Sequence, residues 1–184
     1  TVGHPSGVQA TAAVTVTVTN TAAVGIGETL NAIEDMTTSY WSSSLLSNDT
    51  DADGHTLTIA SFAQPQNGTI TPSADLSAFA YKSKTNFYGT DSFTYTVTDG
   101  FGGTATATVM LQVAAVNDSP VANPDSFSVY KNQELVVTSP QVLGNDTDVE
   151  NHSLSLYLVR APANGTATLQ ANGTILYKPY GEYV

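Results

Sequence analysis

The chain has 184 residues, 41% of them apolar, which is enough for a packed core in one large domain or two small ones. Sixteen Asp and Glu stand against five Lys and Arg, and the net charge of −11 repels nucleic acid and anionic membranes and leaves carboxylates to be solvated or neutralised by a cation. There is no cysteine, which excludes disulfides, Cys-ligated zinc and thiol catalysis, and no apolar run approaches the roughly 18 residues of a membrane span.

The first ten residues, Thr1 to Ala10, lack the layout of a signal peptide, so the sequence reads as a mature, processed or excised segment. Val14-Thr15-Val16-Thr17-Val18-Thr19 then alternates with period two and predicts a half-buried strand. Tyr40-Trp41 follows in a Thr/Ser-rich stretch and holds the single tryptophan. Next comes the acidic loop Asn48-Asp49-Thr50-Asp51-Ala52-Asp53-Gly54. Strands are predicted at Leu57 to Phe62, Phe93 to Thr98 and Ala105 to Val113, with turns at Asn67-Gly68, Asp99-Gly100 and Gly102-Gly103. Beyond the punctuation Val116-Asn117-Asp118-Ser119-Pro120, further strands are predicted at Phe127 to Tyr130, Leu135 to Thr138 and Leu154 to Val159. Asn164-Gly165 and Asn172-Gly173 mark the last turns, and no helical stripe occurs anywhere. The chain is all-β.

The pattern repeats. Leu46 to Asp51 returns as Leu143 to Asp148, and His55, Leu57, Pro65 and Asn67-Gly68-Thr69 return at the same offset of 97 residues. Tyr81-Lys82 recurs at Tyr177-Lys178, an offset of 96. A period near a hundred residues is that of one β-sandwich, so the chain reads as tandem Greek-key sandwiches. Residues 1–20 are then the last strand of a preceding repeat, 21–117 a complete repeat, and 118–184 a second, incomplete one. The second ends at Tyr183-Val184, matching Phe87-Tyr88, and Thr1-Val2 resembles Thr96-Val97. That register fits a window of a longer array. It also fits a donor strand, about Val8 to Thr19, that completes another copy and builds a head-to-tail fibre.

Asn48, Asp49, Asp51 and Asp53 before Gly54 bring several oxygens toward one point, which suits a hard cation with six to eight oxygen ligands, and calcium is the natural guest. An EF-hand is rejected, because the twelfth position counted from Asp49 is Ala60 rather than Glu. In the second loop Glu150 replaces Asp53 and Asn151 replaces Gly54. The plainer alternative is an Asx-rich turn, though clustered acids in both repeats would repel one another without a counter-ion.

Asn-Asp-Thr-Asp-x-Asp-Gly, Tyr-Gly-Thr-Asp-Ser-Phe-Thr-Tyr-Thr-Val-Thr-Asp-Gly and Val-Asn-Asp-Ser-Pro-Val-Ala resemble the bacterial cadherin-like repeats, also known as VCBS or bacterial Ig-like repeats. The resemblance implies a secreted, cell-surface location in large adhesins and calcium at the junctions between domains, with neighbouring repeats or other copies of the chain as partners. It implies one junction site drawn from Asp99, Asn117, Asp118, Asp146 and Asp148, and another from Asp49, Asp51 and Asp53 with Glu34. The linker before the first repeat, Asn20-Thr21-Ala22-Ala23, departs from the pattern by lacking the Asp and Pro seen at Asp118 and Pro120.

Catalysis is not expected. The histidines are His4 and the repeat-equivalent pair His55 and His152, none placed for a triad, and the paired acids that a glycosidase would need belong to the loops. For Trp41 the simpler expectation is a plug at one end of a sandwich; the alternative is a stacking platform for a surface glycan, with Tyr88, Tyr180 and Tyr183 as weaker candidates.

Overall fold

The computed structural model describes residues 2–3, 5–7 and 9–181, so Thr1, His4, Val8, Tyr183 and Val184 of the sequence reading lie outside the described residues. The chain divides into two units, Thr1–Ala114 and Ala115–Val184. No described helix is long and apolar enough to cross a membrane.

The first unit is a two-sheet sandwich. One sheet runs β3-β9-β8-β5, from β3 (Thr29–Ile33), β5 (Thr58–Phe62), β8 (Gly89–Thr98) and β9 (Thr104–Ala114). The other runs β4-β7-β6, from β4 (Thr37–Trp41), β6 (Gly68–Pro72) and β7 (Ala78–Ser83). The glycine-rich turn after Asp99, with Gly100 and Gly102 at positive φ, lets β8 and β9 pair as a long hairpin from Gly89↔Val113 to Thr98↔Thr104. That hairpin is the middle of its sheet. Alternation sends Phe93, Tyr95 and Val97 inward from β8, and Ala107, Val109, Leu111 and Val113 inward from β9. They meet Ile70, Phe79 and Tyr81 of the facing sheet, and Phe62, Phe79 and Phe93 pack ring on ring. Each of the buried Val, Leu, Ile and Phe side chains contributes about 1.5–3 kcal/mol by burial.

Because β3 pairs parallel to β9, the two strands finish at the same end of the unit, where β9 leads out of it. We call that end the foot, and the opposite end, which carries the β8–β9 turn and the acidic loop, the head; the part of the second unit that carries its acidic loop is likewise its head.

Before β3, a short hairpin joins β1 (Val2–Gly3) to β2 (Gln9–Ala10). Its register, Val2↔Ala10 and Gly3↔Gln9, is that of Val97↔Ala105 and Thr98↔Thr104 at an offset of 95 residues. The same offset lays Val14, Val16 and Val18 on Val109, Leu111 and Val113. Yet Val14 to Thr19, expected as a half-buried strand, forms none, and its valines are exposed. In the first unit the slot such a strand would fill is already occupied by β9. Period two says which face would be buried, but it does not supply a partner.

The described part of the second unit has one sheet, β10-β12-β11, built from β10 (Leu135–Val137), β11 (Gly165–Leu169) and β12 (Ile175–Pro179). It repeats β4-β7-β6. The strands expected at Phe127 to Tyr130 and Leu154 to Val159 are absent; Tyr130, Tyr157 and Val159 are exposed. Their counterparts in the first unit, β3 and β5, pair only with β9 and β8. The described part of the second unit contains no such hairpin, so these segments have nothing to pair with.

Two single-turn helices, α1 (Ser42–Leu45) and α2 (Ser139–Val142), sit at equivalent places in the two units. Four residues are too few to leave a helical stripe in the sequence. A 3-10 turn, Leu143–Asn145, leads from α2 into the second acidic loop.

Candidate metal centre

Each acidic loop is fastened by the same set of bonds. Val24 forms a two-way bridge with Thr50, and Val121 one with Thr147, drawing the incoming segment against the loop. The Ile26 N–H donates to Asp49 Oδ1 at 2.7 Å, as the Asn123 N–H does to Asp146 Oδ1, also at 2.7 Å. The Thr21 N–H donates to Asp53 Oδ2 at 2.6 Å; the Asp118 N–H donates to Glu150 Oε2 at 3.0 Å. Asp51 Oδ1 accepts from the His55 N–H at 3.1 Å, and Asp148 Oδ1 from the His152 N–H at 2.8 Å. Gly54 and Asn151, both at positive φ, let the chain double back, a conformation Asn tolerates better than most residues. This is why Asn151 can stand in for glycine there.

Among the described residues, each unit has one group of ligating atoms drawn from its own residues, with the members within 4.8 Å of one another. In the first unit they come from Asp51, His55 and Asp99; in the second from Asp148, Glu150 and His152. The Asp51 side chain is almost wholly buried, and its Oδ2 has no hydrogen-bond partner. Glu150 Oε1 is likewise buried without one. A buried carboxylate oxygen with no donor is costly unless a cation meets it. The donor set is mainly hard oxygen, as calcium or magnesium requires. His55 Nδ1 lies 3.3 Å from Asp51 Oδ1, and His152 Nδ1 3.3 Å from Asp148 Oδ1. His55 is itself held flat against Phe101, with centroids 4.1 Å apart.

The structure regroups the residues chosen from sequence. Sequence reading sets Asp99 with Asn117, Asp118, Asp146 and Asp148, and Glu34 with Asp49, Asp51 and Asp53. In fact Asp99 belongs to the head of the first unit, beside Asp51 and His55, and Glu34 to its foot, where its N–H donates to the Ala114 carbonyl at 3.0 Å. The length of β9 is the reason, since eleven residues at about 3.3 Å each carry the chain some 35 Å from the Asp99 turn before it leaves the unit.

Asp99 is buried, and its carboxylate accepts from the Phe101 and Gly103 N–H groups and from Asn20 Nδ2, at 2.7, 2.9 and 2.7 Å. The Asn20 bond, opposed by desolvation and helped by the backbone donors, holds it below the ordinary carboxylate range. Asp49 and Asp146 lie in neither group. Asp49 is turned inward, taking the Tyr95 hydroxyl at 3.0 Å as well as Ile26. Beside it, Glu28 is raised to about 7, first by desolvation and then by the Asp49 charge. Asn117 Nδ2 bonds the Asp118 carbonyl at 3.1 Å. Sequence reading passes over Asn20 and leaves Glu150 out of its ligand set; the 97-residue offset from Asp53 is the signal that marks Glu150. Trp41 does not plug a sandwich end: it is 70% exposed.

The profile of the bacterial Ig domain matches residues 20–112, and that of the bacterial cadherin-like domain matches residues 117–184. No curated protein matches the chain in sequence. Among solved structures, the endo-fucoidan hydrolase MfFcnA4 from glycoside hydrolase family 107 is similar over 86% of this chain and 24% of its own, at 16% identity and a TM-score of 0.36. For the endo-fucoidan hydrolase MfFcnA9 the figures are 80%, 27%, 16% and 0.31. For a chimeric titin Z1Z2 functionalized with a KLER exogenous peptide from decorin they are 88%, 84%, 13% and 0.31. The chain spans about a quarter of the length of those hydrolases. It belongs to the bacterial Ig domain family, as a bacterial Ig-like and cadherin-like repeat.

Proposed function

We propose that the chain is a non-catalytic, calcium-binding tandem-repeat segment of an extracellular bacterial surface protein, in which bound calcium stiffens the passage from one repeat into the next. Domains of this family are generally structural and typical of surface proteins, which supports the setting. The observation that carries the reading is the buried, unpartnered carboxylate oxygen in each head, Asp51 Oδ2 and Glu150 Oε1, on loops that are fastened alike.

The same acids also hold the incoming linker. Asp99 and Asp53 bond Asn20 and Thr21, and Glu150 bonds Asp118. An ion on Asp51 and Asp99, or on Asp148 and Glu150, would therefore tie loop and linker to one centre. Sites of this extracellular kind have dissociation constants of about 10⁻⁴ to 10⁻³ M. At about 10 mM calcium, mass action then contributes roughly 1.4 to 2.7 kcal/mol per site, enough to order a linker reversibly.

The test is a calcium titration followed by calorimetry and small-angle scattering on the wild type and on Asp51→Asn with Asp148→Asn. The reading expects a saturable rise in melting temperature and a narrower, longer scattering profile, both lost in the double variant. A melting temperature and profile indifferent to calcium would overturn it.

A further inference from the structure

Trp41 ends β4. Tyr40 before it turns inward to stack on Phe79, with centroids 5.2 Å apart, so strand alternation sends the indole out to solvent. A groove of about 390 Å³ lies beside it, lined among others by Ser42, Thr58, Asp75, Leu76 and Ser77. That volume is at the lower end of ligand-sized cavities.

The same place in the second repeat, 97 residues on, shows what is special here. Ser139 bonds the Gly173 carbonyl at 2.9 Å, whereas its counterpart Ser42 is buried, 3% exposed, and its hydroxyl has no partner among the described residues. Gly173 sits at φ 80°, and its counterpart Leu76 holds a φ of 59°, a left-handed conformation that a branched side chain adopts only under constraint. Thr138 stands where the first repeat has Trp41, and Asn172 where it has Asp75.

Asp75 Oδ1 accepts from Ser73 Oγ at 2.7 Å, Ser77 Oγ at 2.8 Å and the Ser77 N–H at 3.1 Å. Those donors, Ser73 foremost, bring the carboxyl down to about 2 and keep it ionised, while none of the three bonds engages Oδ2.

We infer that this groove is a binding site for a neutral pyranose saccharide, with Trp41 as the stacking platform and Asp75 and Ser42 as hydrogen-bonding groups. The C–H face of a pyranose ring carries partial positive charge, which the negative face of an indole attracts. Asp75 Oδ2 accepts a ring hydroxyl in a charge-assisted bond, and Ser42 Oγ gains the partner it lacks. An apolar peptide would leave both polar groups stranded. An acidic or sulfated sugar would meet Asp75 and a chain of net charge −11.

Trp41 is the only tryptophan, so its emission reports this site alone. The experiment titrates the 184-residue protein with neutral cello-, xylo-, manno- and malto-oligosaccharides, and with an oligogalacturonate as the acidic arm. At least one neutral series is expected to shift Trp41 emission saturably, and the acidic arm to leave it unchanged. Asp75→Asn should weaken binding about tenfold or more, as loss of a charge-assisted bond does. Ser42→Ala should weaken it several-fold while keeping or raising the melting temperature, because it removes a buried hydroxyl without a partner. A further variant, Trp41→Ala read by calorimetry, should not bind. Emission unmoved by every neutral series at about 10 mM, well above a weak Kd of about 1 mM, would overturn the inference. So would a shift that Asp75→Asn and Ser42→Ala leave intact, or tighter binding of the acidic arm.

Discussion

Tyr81 and Tyr177 hold equivalent places in the two repeats and have different surroundings. Tyr81 is fully buried, and its hydroxyl donates to Asp91 of β8 at 3.0 Å. Tyr177 is half-buried and donates to the Asn164 carbonyl at 3.2 Å, on the rim of an apolar hollow of about 270 Å³ that Phe127, Leu135, Leu158 and Ile175 also line. The head loops of the two repeats, by contrast, share the bonds that fasten them to the incoming segment. The difference separates two kinds of information. A head loop is held by the segment that enters its own repeat, Thr21 to Ile26 in one and Asp118 to Asn123 in the other, and needs nothing from the β8–β9 hairpin to be fastened. A core needs the β8–β9 hairpin to bring Asp91, Phe93 and Leu111 over the facing sheet, and the described second unit has none.

The largest effect should come from breaking that contrast. Tyr81→Ala removes a fully buried ring and leaves Asp91 without its hydroxyl donor, a loss of about 3–5 kcal/mol. Tyr177→Ala, in a half-covered sheet, should cost about 1 kcal/mol or less. Urea unfolding of the two variants measures the gap. Native-state hydrogen exchange should show the same division, with β8 and β9 amides protected to the global limit and those of β10 to β12 exchanging sooner. Equal costs, or equal protection, would mean that the second unit has a finished core after all.

What the sequence disclosed follows the same line. The 97-residue offset aligned both acidic loops, both histidines and the turns, because each is a local pattern. It could not say which end of the sandwich an acid occupies. Asp99 and Glu34 are assigned to opposite ends from those they hold, since every antiparallel strand exchanges head for foot and the parallel pairing of β3 with β9 is invisible until the sheet is assembled. Likewise the alternation at Val14 to Val18 and at Phe127 to Tyr130 is that of a strand, but pairing is a property of the partner. The exposure of Trp41 depends on Tyr40 winning the inward position against Phe79.

Next in size are the changes that test the heads. With calcium at about 10 mM, Asp51→Asn and Asp148→Asn should each remove roughly the 1.4–2.7 kcal/mol that one site contributes, and lose nothing comparable in chelator. Asp49→Asn should do the reverse, lowering stability with and without calcium, since its carboxylate serves Ile26 and Tyr95. Gly103→Ala sharpens the point, because a Cβ there would collide with the Asp99 carboxylate and the backbone of Ala22. Calcium affinity in the first repeat should fall while the second is unchanged. A matched loss in both repeats would show that their sites are not independent.

The smallest effect belongs to Glu28, a half-buried acid beside Asp49 and Tyr95. Its carboxyl titrates at about 7 in the folded protein against an ordinary 4.5, chiefly from desolvation. Between those values the native state holds a proton that the unfolded chain has released, so stability falls as pH rises from about 4.5 to about 7 and then levels off. Because Glu28 keeps contact with water, the change should be about 1 kcal/mol or less. Glu28→Gln holds the neutral form at every pH and should flatten that slope, giving its gain at pH 8 and none at pH 4. Calorimetry across the range, in chelator so that no ion competes, separates this from the heads. A slope unchanged in Glu28→Gln would place the titrating group elsewhere and return Glu28 to the ordinary surface acids.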